Sequence, residues 1–354
     1  MKVLALTRLP EIDPSNRYRI NQFLPILNNI YNIEVDLFTF YDSKNFEKYK
    51  KKEMNYLTFV NLFYESFKTI LNAKKYDVVW ILRSISPIEM PLLVKYIKKQ
   101  GVRVVYEFDD AIYVNQNKNS IKRQLSRSWK AVSKYSRLAD HIIVGNEILH
   151  QWASQHNNKV SIIPTGIDVF SYPIKKYSRS EEVVTLGWLG STATSPNLYE
   201  ILPVLESLSE ELRIRLVIIG GETIQSKKLE IINLEWSKEN EKKWLPMFDI
   251  GIGPLTNNEF NKGKCGFKLI QYMATSLPVI ASPVGIQKEM IINNTNGFLA
   301  NTIEEWETYI RSLILDEELR KQMGKRGREI AETKYDTSVL VKQITEVLLQ
   351  EVSN

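Results

Sequence analysis

The chain reads as an α/β protein of two doubly wound domains, each with a parallel sheet covered by helices on both faces. Three observations carry that reading. Short β-branched runs alternate with segments of helical apolar spacing along most of the chain, the pattern that builds parallel sheets. The alternation pauses once, in the polar, Pro-containing stretch SYPIKKYSRSEE (171–182), and then restarts, which marks that stretch as a linker. The length, 354 residues, exceeds what one core ordinarily holds.

Taken in order, KVLALT (2–7) reads as a strand, and YRINQFLPILNNI (18–30) has apolar residues at helical spacing. IEVDLFTF (33–40) and YDVVWILRS (76–84) are strands, and IEMPLLVKYIKKQG (88–101) is a helix closed by Gly101. VRVVYEFDD (102–110), ADHIIVGN (139–146) and VSIIPTGID (160–168) complete the first set of strands. The second set runs VVTLGWLGS (183–191), helix 197–210, IRLVIIGGE (214–222), EIINLEW (230–236), helix 239–247, FDIGIGPL (248–255), helix 265–275 and PVIASPVG (278–285). Residues 302–335 are helical with breaks near Asp316 and Gly324, and a last helix occupies about 337–352. The predicted domains are 1–172 and 173–335, followed by a C-terminal helix in 336–354. Two such domains leave a cleft, and ligands of these sheets bind at the carboxyl ends of the strands.

Composition narrows the function classes. A single cysteine, Cys265, excludes a disulfide framework and a cysteine metal cluster and fits a reducing compartment. Three histidines without metal-ligand spacing argue against a histidine-built zinc site, and no required metal is expected. MKVLALTRLP is cut by Arg8 and Pro10 and does not read as a signal peptide; with no run of eighteen apolar residues, a cytoplasmic protein is expected. Charge is uneven: residues 1–176 hold 27 Lys+Arg against 16 Asp+Glu (+11), and 177–354 hold 20 against 25 (−5). The first half therefore suits an anionic partner.

The residues after each strand are the site candidates. In NKGKCGFKLIQYMATSLPVIASPVG (261–285), Lys262, Lys264 and Lys268 cluster at the start of an apolar helix. Free amides at a helix N-terminus favour an anion, and Gly263 and Gly266 allow close approach before Phe267, so a diphosphate suits this mouth better than a solvated lysine patch. LGWLGSTATSPN (186–197) offers Gly190, Ser191 and Thr192 to phosphate oxygens, although an ordinary turn explains it equally. Glu222, after IIGG, faces either hydroxyls or water. Asp109 and Asp110 end a strand as a catalytic base, a hydroxyl ligand or a helix cap; alternation along a strand puts at most one of them toward a cleft. Arg17 and Arg19 after the first strand, and Arg83 after VVWIL, can hold an anionic or polyhydroxylated substrate, or can be solvated.

Residues 119–140 read as a basic amphipathic helix. Ile121, Leu125, Trp129, Val132 and Leu138 form the apolar side, and no acidic residue occurs from 111 to 139. Such a helix, over 119–139, suits an anionic membrane surface, making the chain peripheral on the inner face of the cell membrane; a solvated basic face is the competing reading. Nucleic acid is not expected, because no binding module accompanies the charge.

Together these residues resemble a known family. KCGFKLIQYMATSLPVIASPVGIQKEMIINNTNGFLA resembles the donor-binding signature of GT-B glycosyltransferases of the family 4 type. ADHIIVGNEILHQWASQHNNKVSIIPTGID and LILDEELRKQMGKRGREIAETKYD are similar to flanking segments of that family. The resemblance implies two Rossmann-like domains facing a cleft, with the last helix crossing back to the first domain. It implies a retaining, metal-independent hexosyltransferase using a UDP-, GDP- or dTDP-sugar as substrate and no cofactor. The acceptor would be a glycan or a lipid-linked hydroxyl, in bacterial surface polysaccharide or glycoconjugate synthesis. It places Lys264 and Lys268 on the diphosphate, Gly190 and Ser191 opposite, and Asp109 at the catalytic position. The chain departs from the pattern at two glutamate positions, where Gly263 and Gln271 stand; Gln271 can still bond ribose hydroxyls. A sugar-nucleotide epimerase of the same fold and a non-catalytic membrane or scaffold partner remain alternatives.

Overall fold

A computed structural model describes residues 1–115, 128–177 and 183–350. Its described residues fall into two units, one within Met1–Gly166 together with Gly263–Cys265 and the residues from Thr337 to 350, the other within Ile167–Lys262 and Gly266–Asp336.

The first unit is built on strands made mostly of apolar residues. β1 (Lys2–Thr7), β2 (Glu34–Thr39), β3 (Val78–Leu82), β4 (Arg103–Phe108), β5 (His141–Val144) and β6 (Val160–Ile162) form one parallel sheet in the order β2-β1-β3-β4-β5-β6. β3 and β4 are buried along their whole length, as strands covered on both faces must be. The helices are α1 (Pro14–Arg19), α2 (Leu24–Tyr31), α3 (Ser43–Lys50), α4 (Tyr56–Leu71), α5 (Pro91–Lys99), α6 (Ser128–Leu138) and α7 (Glu147–Ala153).

Three sequence expectations change here. The helix over 18–30 is broken at Ile20, because Pro25 suits the first turn of a new helix and α2 restarts there. Residues 43–71, unassigned from sequence, form α3 and α4, capped by Asp42 accepting from Asn45 N at 2.7 Å and by Asn55 accepting from Thr58 N at 2.8 Å. The basic helix expected over 119–140 is described only from Ser128; residues 119–127, with Ile121 and Leu125, lie outside the described residues.

The second unit repeats the architecture. β7 (Val184–Leu189), β8 (Ile214–Ile219), β9 (Glu230–Leu234), β10 (Ile250–Gly253), β11 (Val279–Ala281) and β12 (Gly297–Leu299) are parallel, in the order β12-β11-β10-β7-β8-β9. Counted from β7, this is the doubly wound order 3-2-1-4-5-6, which reverses direction between β7 and β10. Its helices are α8 (Leu202–Ser209), α9 (Glu241–Trp244), α10 (Glu259–Lys262), α11 (Phe267–Ala274), α12 (Gln287–Met290), α13 (Ile303–Leu315) and α14 (Glu317–Lys334). The break at Asp316 is real, with Asp316 capping α14 through Leu319 N. The break expected at Gly324 is absent: α14 runs through it, and the glycine is there because a Cβ would lie 2.0 Å from Ser276 O. The expected linker is partly core structure, since Lys175 is buried, pairs with Asp249 at 2.8 Å and donates its backbone N–H to Thr275 O.

The last helix, α15 (Thr337–Leu349), belongs to the first unit. It packs on α2, and Arg103 donates to Leu348 O and Val347 O at its C-terminal end. Among the described residues no helix is long and apolar enough to cross a membrane.

Candidate functional site

In the second unit the reversal between β7 and β10 makes the carboxyl edge of the sheet the place for a ligand. Cross-links hold its loops together. Glu222 N donates to Ser195 Oγ at 3.2 Å, tying the loop after β8 to the loop after β7. Thr256 N donates to Asn197 Oδ1 at 2.8 Å, and Leu255 N to Ser282 Oγ at 2.9 Å, which ties in the loops after β10 and β11. Gly220 and Gly221 have φ of +73° and +83°, a left-handed path that glycine takes without strain.

Trp188, the penultimate residue of β7, is buried beneath these loops. A Cβ at Gly190 would sit 2.5 Å from its ring, and one at Gly221 2.9 Å. Lys268, in the first turn of α11, places its ammonium 4.1 Å from the centre of the same indole. Gly190, Ser191, Glu222, Gly266, Phe267 and Lys268 therefore all belong to this unit, with Lys268 anchored by a cation–π contact. Gly266, at φ +66°, precedes α11 without a side-chain cap, so the helix amides open at the residue where an anion was expected.

Two expectations need correction. The helix begins at Phe267 rather than near Cys265, and the polar loop before it contains α10. Gln271 is 1 % exposed and donates to Glu241 Oε1 at 2.6 Å and to the Tyr172 hydroxyl at 3.2 Å; its amide is spent inside the unit rather than offered to a ribose.

Residues 263–265 pack with the first unit. Asn146 Nδ2 donates to Gly263 O at 3.2 Å and to Lys264 O at 3.1 Å, while its Oδ1 caps α7 at Leu149 N. A Cβ on Gly263 would lie 2.5 Å from that of Ala111, so the position admits no larger side chain. Lys264 and Lys268, expected as one clamp, thus belong to separately described units.

The first unit reverses its strand order between β1 and β3, and polar residues gather at that edge. Arg83, just past β3, sits at φ +58°, held by its N–H to Glu107 O and by the Tyr106 hydroxyl donating to its carbonyl. Such a strained residue persists only where its surroundings fix it. Its guanidinium donates to Asp109 Oδ1 at 2.6 Å and to Asp110 Oδ2 at 2.7 Å. Both aspartates thus converge on one group, since they lie past the end of β4, where the alternation of a strand lapses. Burial raises the Asp109 carboxyl, but Arg83 outweighs it and holds the group below its ordinary range. Burial, with Asp109 nearby, pushes Asp13 up. Arg83 is therefore engaged rather than a bare anion ligand.

Arg17 is buried with its guanidinium over the Tyr18 ring. Arg19, only 2 % exposed, pairs with Glu107 and donates to Ile163 O at 2.9 Å and Thr165 Oγ1 at 3.3 Å. It is a core group rather than a surface arginine. Burial raises Glu107 against the pull of Arg19, and Trp80 Nε1 donates to its other oxygen at 2.7 Å.

Sequence reading missed Glu89, in the loop after β3. Burial pushes its carboxyl up to about 7 despite a hydrogen bond from Tyr135 and the charge of Arg8, and its Oε2 has no partner among the described residues. Nothing in a single Glu within IEMP signals this; only the topology brings it to the β1/β3 edge. Cys265 is a thiol pushed up to about 11 by burial and by Asp110 and Asp109, which keeps it from acting as a nucleophile. Among the described residues no cluster of three or more His, Cys, Asp or Glu could hold a metal ion.

Comparison with known proteins bears on both units. Residues 173–330 match the family model described as glycosyl transferases group 1. The chain is 22% identical over 298 residues to the GDP-Man:Man(3)GlcNAc(2)-PP-Dol alpha-1,2-mannosyltransferase of Dictyostelium discoideum, covering 70% of this chain and 56% of that protein. The chain thus spans little more than half the length of this curated relative. Among solved structures, Anabaena Alr3699/HepE in complex with UDP-glucose superposes with a TM-score of 0.68 at 16% identity, over 98% of this chain and 99% of that one. Sucrose-phosphate synthase from Thermosynechococcus elongatus gives 0.68 at 14% identity over 98% of each chain. The two six-stranded parallel sheets match GT-B glycosyltransferase structures in fold, and the family match lies in the second half of the chain.

Proposed function

We propose that the chain is a retaining, metal-independent glycosyltransferase of the family 4 type. It moves a hexosyl group from a nucleotide sugar to a hydroxyl of a glycan or lipid-linked acceptor, at the cytoplasmic face of the membrane. The observation that carries this reading is the carboxyl edge of the second unit. There Gly190, Ser191, the Gly220–Gly221 turn, the uncapped start of α11 and the Trp188-anchored Lys268 share one rigid platform with donors for a diphosphate. The match of residues 173–330 to the group 1 family supports it, as does the UDP-glucose bound in the Anabaena neighbour, which makes a UDP-sugar the first donor to try.

In this reading the anomeric carbon–oxygen bond to the nucleoside diphosphate breaks as the acceptor oxygen bonds to the same face of that carbon. The acceptor proton passes to the departing phosphate oxygen. Lys268 and the α11 amides stabilise the charge that grows on the leaving group, an interaction stronger in the transition state than before it. Lys264 is the second lysine that the family resemblance assigns to the diphosphate. Glu222 bonds donor hydroxyls. Asp109 and Asp110, held by Arg83, and Glu89 offer the acceptor hydroxyls their carboxylate oxygens. The pathway assigned is bacterial surface polysaccharide or glycoconjugate synthesis.

Calorimetry with UDP, GDP and dTDP, followed by a donor-hydrolysis screen, tests this. Lys268→Ala is expected to weaken binding of the preferred nucleotide roughly tenfold or more, the worth of a charged hydrogen bond. No binding or hydrolysis with any of the three nucleotide classes defeats the reading.

A further inference from the structure

The helix α4 is apolar on two sides. One side faces the core: Phe59 and Phe63 pack edge-on against buried Phe40, and Ile70 is fully buried. The other side carries Tyr56, Leu57, Val60, Tyr64, Phe67 and Leu71, all exposed, with Leu57 79% and Tyr64 62% accessible. From Leu57 onward these recur at alternating steps of three and four, so they form one continuous stripe along the helix. The neighbouring α5, which packs against α4, adds exposed Leu92 and Tyr96. Isolated surface leucines need no explanation, but a contiguous row of large apolar side chains does.

Charge says what covers it. Residues 43–75 contain eight lysines (44, 48, 50, 51, 52, 68, 74, 75) and three glutamates (47, 53, 65), or +5, and most of the lysines fall just before and just after the helix. We infer that α4 lies in the interface of an anionic lipid bilayer, with its apolar stripe in the headgroup–acyl boundary and the flanking lysines on lipid phosphates. Apolar and aromatic residues on one side of a helix, with lysines reaching past its ends, are what such an interface binds. A second copy of the chain is the poorer occupant, because a two-fold interface sets this +5 segment against itself. The inference is separate from the residues 119–139 considered above and does not rest on the glycosyl-transfer reading.

The test is co-sedimentation of the full chain with phosphatidylcholine vesicles, with and without phosphatidylglycerol. Two variants accompany it: Leu57→Glu with Tyr64→Glu, and Lys48→Gln with Lys51→Gln and Lys52→Gln. Thermal unfolding checks that each is folded; the lysine set changes only surface charge and keeps the test open should the first misfold. Binding is expected only with phosphatidylglycerol present, falling with added salt, and roughly tenfold weaker or less in both variants. Equal, negligible binding to both vesicles overturns the inference, as does anionic-vesicle binding unchanged in a folded variant. So does a dimer seen by light scattering that Leu57→Glu with Tyr64→Glu dissociates. UDP titration of the same variants reports separately on the glycosyl-transfer reading.

Discussion

Replacing Arg19 tests whether the buried ion pair is a structural element of the first unit. Arg19→Met keeps much of the volume and removes the charge. It takes away the pairing with Glu107 and the bonds to Ile163 O and Thr165 Oγ1, and leaves the Glu107 carboxylate with the N–H of Trp80. Breaking one partner of a buried pair costs about 3–5 kcal/mol. For a unit of this size, about 2–4 °C per kcal/mol converts this to a fall of roughly 6–20 °C in its unfolding midpoint. Far-UV circular dichroism on heating, and urea unfolding, measure it. The sign with pH is fixed. Burial raises Glu107 in the folded state even with Arg19 present, so the folded chain keeps this proton longer than the unfolded chain does. The stability from that proton is present below the unfolded carboxylate value and is lost as pH rises through the folded one. Removing Arg19 pushes the carboxyl further up, so the defect should shrink on acidification. Arg19→Met with Glu107→Gln should recover most of the loss, since no charge is then left unpaired. A single-variant loss under about 1 kcal/mol at neutral pH, or a double variant no better than the single, refutes the argument.

Glu89→Gln should flatten the pH dependence of stability. Burial moves this carboxyl from 4.5 up to about 7, so its contribution is present below the lower value and lost as pH rises through the upper one; the variant should match the parent near pH 4 and exceed it by about 1 kcal/mol or more at pH 8. Equal urea midpoints at the two pH values in the parent chain would contradict this. Gly221→Ala should destabilise the second unit by about 1–2 kcal/mol through its φ of +83° and the 2.9 Å approach to Trp188, and should weaken nucleotide binding; a neutral melting shift rejects it. Gly324→Ala reverses the usual helix ranking. Alanine gains about 1 kcal/mol in helix propensity, but its Cβ would sit 2.0 Å from the backbone oxygen of Ser276, so a net loss is expected on thermal melting.

The sheets were legible because their signal is local. VVWIL is apolar throughout and RVVYEF mostly so, and a fully buried parallel strand leaves that mark on its own residues. Helix interiors were less legible where composition points two ways. Gly324 reads as a breaker because helix propensity disfavours it, yet it sits inside α14 to let Ser276 approach. That reason lies nearly fifty residues away in the chain. The missed α3 and α4 carried readable caps at Asp42 and Asn55. What hid α4 is its double apolar face: the ordinary cue is one stripe opposite a polar side, and here both sides are apolar.

The site divides along the same line. That Gly190, Ser191 and Glu222 follow the ends of strands could be read from sequence, because a parallel sheet sends the loops after its strands to one edge whatever the side chains are. Partners could not. Gln271 and Arg19 look like ligand groups in isolation, yet each is consumed by a distant buried carboxylate, Glu241 for one and Glu107 for the other. A polar side chain beside an uncompensated buried charge is drawn to it before any substrate, because the unpaired charge costs several kcal/mol, about as much as a ligand bond returns. The same rule turns Asp109 and Asp110 from alternatives into a pair, since one guanidinium at Arg83 can satisfy both. Gly263 completes the argument. Where the resembling family places a glutamate, this chain has no room for a Cβ beside Ala111, so no larger side chain can stand at that position.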